Sequence, residues 1–594
     1  MGTVKAPTYA PSPFSSAGAT PVGTFRERRW LAIWVAIIVL GLAYGIGNYG
    51  LIEPDEGRNA EVAREMAVTN NYILPHLNGL PYLDKPVVFF AAAAVMIEVF
   101  GTSEFAVRLA PLLFGLATVF LVGWFARTLF GRDGALVAVI ASLTAPLAIA
   151  LSRTVIMDTA LSFFVVSALI AFHQAIEGRR AGRSGTVGTR VWFGWTLVAW
   201  AAMALGVLTK GPVALAVPLM VAAPYAVWRR ASFAVWHPLG PVVLAGVVSP
   251  WVWAVSREIP EFLHYVVVTE TWQRMTTDEL RRTQPFWYFV PVLLAGAFPW
   301  SIVALSSLRT KVGGGDPDRR AAWVYLMLWL LVPLIFFSLS RGKQEQYMLP
   351  LVPALALMVA CRWPGRAGGY RIAAVGWGLV GLAMLGVAAS GAPGLDTARV
   401  SADVAVGTAF GVGAAAVAGS IMAWLFARTR RHLAVVGLSL PLAAFPLICA
   451  PLIESVAGDR SAKALAGALQ PALAPDTELL WVEAYAPGMS FYLERTIPVA
   501  SSDGGELRSN YILRNAERFL DENGMLRPLA AAERAASECD GRRVFLLSTR
   551  SRDLGDAIEA AGVPFLQGNR RWMTFGPDCC QATERQPGKQ MGVE

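Results

Sequence analysis

Charge is scarce in this chain. Only 16% of its 594 residues are Asp, Glu, Lys or Arg, against about 25% in an ordinary soluble protein. Long uncharged apolar runs recur along about the first 450 residues, which excludes a soluble globular fold for most of the chain. Cysteine is rare too, at five residues, and does not make a disulfide framework. Cys361 and Cys449 lie in apolar runs and read as core residues. In the tail, Cys539 could pair with Cys579 or Cys580 if the compartment is oxidising. There is no P-loop, GxSxG, HExxH or paired CxxC, and no internal repeat. No cleavable signal peptide is evident in residues 1–24, which are rich in Pro, Ser, Thr and Ala and read as disordered.

What is abundant is apolar length. Hydrophobic residues make up 55% of the chain, with 20 Trp. Runs of about 17–25 apolar residues match the thickness of a bilayer. They fall at 30–50, 104–126, 134–151, 158–175, 191–208, 212–228, 239–256, 286–307, 321–339, 346–361, 372–390, 404–427 and 433–453. A further run at 87–100 is short and Ala-rich. If it lies along the interface, the basic loops at 26–29, 127–132, 179–190, 229–230, 311–320, 362–371 and 428–432 share one side. The positive-inside rule therefore predicts thirteen spans, a cytoplasmic N-terminus and an external C-terminus. The net charge of +9 is explained by the same loops and gives no reason to expect nucleic acid as a partner.

The expected fold is a polytopic α-helical membrane protein with a small α/β domain outside the membrane. Residues 1–29 form a cytoplasmic lead. Residues 30–453 form the membrane domain, with long outer loops at 51–103 and 257–285. Residues 454–594 form the α/β domain, with strand-like runs at Glu478–Val482 and Val544–Ser548 and helical patterns at Asn515–Asn523 and Asp553–Ala561.

Charge collects where the first span ends, in Glu53-Pro54-Asp55-Glu56-Gly57-Arg58, and again in Tyr82-Leu83-Asp84-Lys85-Pro86. Asp55 is a candidate N-cap for a helix to about Val68, with Ala60, Ala63, Ala67, Val62 and Met66 on its apolar face. Asp55 and Arg58 share a face, while Glu56 points about 100° away. Such a helix can be interfacial with a solvated charged face. An acid against the hydrocarbon boundary is also costly and tends to be functional. Lys85 can be a snorkelling anchor or the partner of a lipid phosphate. Asp158 can be an N-cap or a second carboxylate converging with Asp55 on one cavity. Glu270, Arg274, Lys343, Tyr347 and Lys210 complete an outer rim rich in Arg and Lys, suited to lipid-borne phosphate. Asp84 and His264 offer two metal ligands, though His264 can equally be an ordinary interfacial histidine.

The two charged motifs resemble the first outer loop of lipid-phosphate-sugar-dependent glycosyltransferases of the GT-C type. The branch is that of the protein-mannosyltransferase-like enzymes and the lipid A aminoarabinose transferases. Leu129-Phe130-Gly131-Arg132, Arg153 to Asp158, Thr209-Lys210-Gly211-Pro212 and Gln346-Tyr347-Met348-Leu349-Pro350 extend the resemblance over about residues 30–455. Thirteen spans with an external C-terminal domain is also the aminoarabinose transferase layout. The resemblance implies an inverting transferase of the bacterial inner membrane with a periplasmic active site. Its donor would be an undecaprenyl-phosphate sugar, best 4-amino-4-deoxy-L-arabinose, and its acceptor a lipid A phosphate. Another sugar, passed to O-antigen, a lipid or a protein hydroxyl, is the alternative, and a lipid-sugar flippase is the rival from another class.

Under that resemblance Asp55 is the catalytic carboxylate and Asp158 binds sugar or acceptor. Arg58, Tyr82, Lys85, Lys210, Arg274, Lys343 and Tyr347 hold donor and phosphate, with Glu56 and Glu270 in support. A structural divalent metal such as zinc would sit at Asp84 and His264. Two positions depart from the aminoarabinose transferase pattern: Asp84 stands in place of Glu, and Thr271 in place of His.

Overall fold

The computed structural model describes residues 25–183, 189–266, 284–306, 308, 317–363, 367–391, 400–538, 542–549, 551–560, 563, 565–568 and 570–576. The chain divides into two compact units. The first comprises Met1–Gly45, Pro111–Val252 and Thr271–Leu452, and the second Ile46–Ala110, Trp253–Glu270 and Ile453–Glu594.

Helix is found at every one of the thirteen expected spans and at 87–100. The protein is a multi-pass membrane protein. Among the described residues, eight helices are long and apolar enough to cross a bilayer. The number is nine if Phe289–Gly296 and Trp300–Ser306, bent by 106°, count as one span. The difference from thirteen has local causes. Helix α1 (Phe25–Ala43) carries Arg26, Glu27, Arg28 and Arg29 in its first turn and a half. Val213–Trp228 and Glu345–Cys361 are short. The runs at 104–126 and 134–151 fall within one count as Glu104–Leu143, although non-helical backbone at Gly131 separates two helices there and the second run ends in Pro146–Ser152. The Gly131 φ of 77° is one that a residue with a Cβ would resist.

Within the first unit, loops that the charge pattern assigns to one side do meet. Arg28 Nε donates to Asp133 at 2.7 Å, and Glu27 pairs with His432 at 3.2 Å. Glu177 accepts from Arg229 at 2.6 Å, and Arg180 reaches Asp318 at 3.4 Å. Close packing links the later helices of this unit. A Cβ built on Gly381 would stand 2.9 Å from the Gly413 carbonyl oxygen, and one on Gly419 would meet that of Gly437 closer still. Small residues at such crossings let backbones approach inside a membrane, where association depends on packing.

The second unit carries a six-stranded sheet. Its strands are β3 (Glu478–Val482), β4 (Val499–Ser501), β5 (Leu526–Pro528), β6 (Arg543–Ser548), β7 (Phe565–Gly568) and β8 (Trp572–Phe575), in the order β5-β4-β3-β6-β8-β7. A separate two-stranded ribbon, β1 (His76–Leu77) with β2 (Leu80–Pro81), lies earlier in the chain. The first four strands of the larger sheet run parallel, and β8 is antiparallel to both β6 and β7. Parallel strands are covered on both faces, and β3 shows it. Leu479 and Trp481 pack with Leu465, Leu469 and Met489 on one face. Leu480 and Val482 pack with Phe545, Ala532 and Ile558 on the other.

The helical pattern at Asn515–Asn523 proves shorter than expected. Helix occupies only Ala516–Phe519, and Leu520 bridges to Leu526. The cause is a turn in which Asp521 Oδ1 accepts from the Asn523 amide at 2.9 Å.

Candidate active site

The charged motif opens a helix, α2 (Asp55–Thr69), that begins after Pro54 and stops at Asn70 in the left-handed conformation, φ 53°. Asp55 and Glu56 lie in the first turn, where the helix dipole favours negative charge. Asp55 is not a cap: it lies inside the helix, behind Pro54, and no side chain caps this end. Its Oδ1 instead accepts from Arg58 Nη2 at 2.6 Å, and 66% of the side chain is exposed against 16% for Arg58. A mostly exposed carboxylate is thus oriented by a mostly covered guanidinium. Burial alone would lower the Arg58 pKa, but Tyr82, Asp55 and Asp84 raise it and hold the group charged.

The helix is also not a surface helix with a solvated charged face. Glu56, Asn59, Glu61, Arg64 and Glu65 are all buried along with Ala60, Ala63, Val62 and Met66. Each buried charge is matched. Arg108 donates from Nε and Nη2 to the two Glu56 oxygens, at 3.1 and 2.8 Å. The same guanidinium donates to the carbonyls of Ile46, Tyr49 and Gly50 at 2.9, 2.7 and 3.0 Å. It lies 3.8 Å from the centre of the Tyr49 ring. Arg64 grips Glu61 through two bonds of 2.8 and 2.6 Å. Glu65 accepts from the amides of Asn78 and Gly79 in the β1–β2 turn.

Glu53 differs. One carboxyl oxygen accepts from the Gly488 amide at 2.6 Å, and the other, Oε2, is buried with no partner. Burial pushes its pKa up to about 8, against the lowering effect of the Gly488 bond and of Arg58 and Arg508. Glu61 is likewise pushed up to about 8 by burial, opposed by Arg64. The folded state keeps the Glu53 proton up to about pH 8, while the unfolded chain releases it near 4.5. By linkage, stability falls as pH rises from about 4.5 to 8 and levels off above. Glu53→Gln should flatten that fall, read as melting temperature against pH, by up to about 1.4 kcal/mol per pH unit. A slope unchanged between pH 5 and 8 would reject the buried neutral carboxyl.

The second motif is anchored by its acid. Asp84 Oδ1 accepts from Tyr265 Oη at 2.8 Å, Ser509 Oγ at 3.2 Å and the Tyr511 amide at 3.1 Å. Oδ2 accepts from the Asn510 amide at 2.9 Å. These donors occupy the carboxylate where the sequence suggested a metal with His264, and among the described residues no group of three His, Cys, Asp or Glu could hold an ion. The residues do not fit the expected zinc. Tyr82 is buried against Phe90, with ring centroids 5.9 Å apart, and Lys85 Nζ donates to the Asp84 carbonyl at 2.5 Å.

In the first unit, Asp158 opens the helix Asp158–Arg183 and pairs through Oδ1 with Lys210 Nζ at 2.5 Å. Lys210 lies 5.5 Å over the ring of Tyr347, which packs against Phe289 and Phe337. Lys343 is buried and donates to the Ser340 carbonyl. Glu270 and Arg274 lie outside the described residues.

Three residues of this network escape the sequence reading. The signal for Arg108 is a lone arginine near the start of an apolar span, and that for Glu61 and Arg64 is their i,i+3 spacing.

Residues 84–253 match the family model described as dolichyl-phosphate-mannose-protein mannosyltransferase. The chain is 33% identical over 313 residues to the undecaprenyl phosphate-alpha-4-amino-4-deoxy-L-arabinose arabinosyl transferase of Erwinia tasmaniensis, covering 52% of this chain and 55% of that protein. It is 32% identical over 349 residues to the protein of that name from Aeromonas salmonicida, covering 57% and 62%. The chain thus spans little more than half the length of the curated relatives it matches. Among solved structures, ArnT from Cupriavidus metallidurans in the apo state aligns over 94% of this chain and 100% of its own, at 22% identity and a TM-score of 0.78. The chain has the fold of that protein. The same protein bound to undecaprenyl phosphate aligns with a TM-score of 0.78 at 23% identity, over 94% of this chain and 99% of its own. The match is to almost the whole length, so it takes in the sheet of the second unit as well as the apolar helices.

Proposed function

We propose that the chain is an integral membrane glycosyltransferase that moves 4-amino-4-deoxy-L-arabinose from undecaprenyl phosphate to a lipid A phosphate, with inversion. The observation that carries the reading is the exposed Asp55 carboxylate, fixed by Arg58 at the head of a buried helix, in a chain similar to curated transferases of that sugar. The bond from the anomeric carbon to the donor phosphate breaks as the acceptor oxygen attacks from the opposite face. Undecaprenyl phosphate leaves with the electron pair. An ionised phosphate acceptor needs no base, so Asp55 positions the sugar and stabilises positive character developing on it. Arg58, Lys85 and Tyr82 hold the departing phosphate. Asp158, Lys210, Arg274, Tyr347 and Lys343 keep their proposed roles in binding donor and acceptor, with Glu56 and Glu270 in support.

The likeness to the mannosyltransferase model favours a second reading, in which the acceptor is a hydroxyl and Asp55 removes its proton as general base. Thirteen crossings would place residues 1–29 in the cytoplasm of a bacterial inner membrane. They would place the active site and residues 454–594 in the periplasm. The meeting of the basic loops supports that sidedness.

Full-length protein in proteoliposomes, given undecaprenyl-phosphate aminoarabinose, should release undecaprenyl phosphate only when lipid A is added, with lipid A gaining the sugar by mass. Release with a hydroxyl acceptor alone would move the assignment to the second reading. Transbilayer movement of intact donor without chemistry would replace both with a flippase.

A further inference from the structure

A cavity of about 260 Å³ opens in the first unit at the end where α1 begins, lined by Glu27, Arg28, Leu31, Asp133, Trp363 and the run Arg428 to His432. Its charges do not cancel. Asp133 is taken by Arg28 and Glu27 by His432. Arg428, Arg430 and Arg431 have no carboxylate partner among the described residues. Two of the lining side chains carry a buried donor without an acceptor, Arg431 Nε and Trp363 Nε1. A buried N–H left unmade is costly, so the site is built for an anion with several acceptor oxygens. Guanidinium forks and an indole N–H match the tetrahedral oxygens of a phosphate.

Position chooses the carrier of that phosphate. The cavity sits where apolar helices end: α1 starts at Phe25, Arg431–Ile448 starts within the lining run, and Ala402–Phe426 stops just before it. Trp30 and Leu425, close to the lining residues in the chain, are exposed, as side chains in contact with acyl chains would be. Basic pockets between spans at a membrane face take anionic headgroups. We propose that this cavity binds the phosphate of an anionic phospholipid, with Arg431 and Trp363 donating to its oxygens. Nothing in the transfer chemistry requires this site, and it stands independently of that reading.

The test uses the full chain in detergent, titrated with phosphatidylglycerol or phosphatidylcholine, with bound lipid counted by native mass spectrometry. A third arm replaces lipid with inorganic phosphate. Phosphatidylglycerol should be held at least tenfold more tightly than phosphatidylcholine. Trp363→Phe and Arg431→Gln should each lose most of that preference. Thr429→Glu, at an exposed rim position, adds a carboxylate without disturbing buried contacts and should abolish it, which keeps the test decisive if the other variants fold poorly. Equal retention of the two lipids, or a preference that survives Thr429→Glu, overturns the proposal. Inorganic phosphate binding as tightly as phosphatidylglycerol overturns the lipid source.

Discussion

Asp55→Asn is expected to lower sugar transfer by about 10²–10⁴-fold without loss of folded protein. The asparagine keeps a carbonyl oxygen for the Arg58 donor that now lies 2.6 Å away, so the side chain stays in place. What disappears is the negative charge, whether it balances a sugar cation or takes a proton. The stability cost is small because the side chain is 66% exposed, and exposed pairs are worth about 0–1 kcal/mol. Turnover in proteoliposomes and melting temperature are measured on the same preparation. Full turnover in Asp55→Asn would remove Asp55 from the chemistry. Loss of turnover together with early melting would show a structural acid instead. Asp55→Glu should restore part of the rate under the general-base reading, because the charge returns with a longer reach.

Much of the site's local grammar was legible. Three-residue spacing put Asp55 and Arg58 on one face and Glu56 on another, and the structure pairs them so: Arg58 with Asp55, Arg108 with Glu56. The strand at Glu478–Val482 was readable to the residue because an apolar run buried on both faces carries its own signature. Burial of α2 was not fully readable, because part of the cover around this motif comes from hundreds of residues away. Gly488 supplies an amide to Glu53, Ser509 to Tyr511 fill the Asp84 carboxylate, and Ile497 exchanges two bonds with Asn78. A sequence reading that sees acids at a membrane boundary has no means of knowing that distant backbone amides satisfy them. The donors around the Asp84 carboxylate were hidden for that reason. Two of its donors are the amides of Asn510 and Tyr511, and a backbone amide carries no sequence signal.

The same long reach makes Arg108 the residue on which stability should depend most. Its side chain is 0% exposed and that of Glu56 is 3%, so neither charge can turn to water if the other is removed. Arg108→Met leaves a buried carboxylate and three carbonyls, of Ile46, Tyr49 and Gly50, without their donor. Removing one partner of a buried pair costs about 3–5 kcal/mol, enough to deplete the folded protein from the membrane fraction. Adding Glu56→Gln removes the stranded charge and should recover part of the loss. The remainder measures the three carbonyls, since unmade bonds of that kind cost about 1–3 kcal/mol each. Melting temperature and yield after membrane extraction separate the cases. A single Arg108→Met variant that melts with wild type would mean the clasp does not hold the approach to Asp55. Full recovery in the double variant would mean that Glu56 alone explains the arginine.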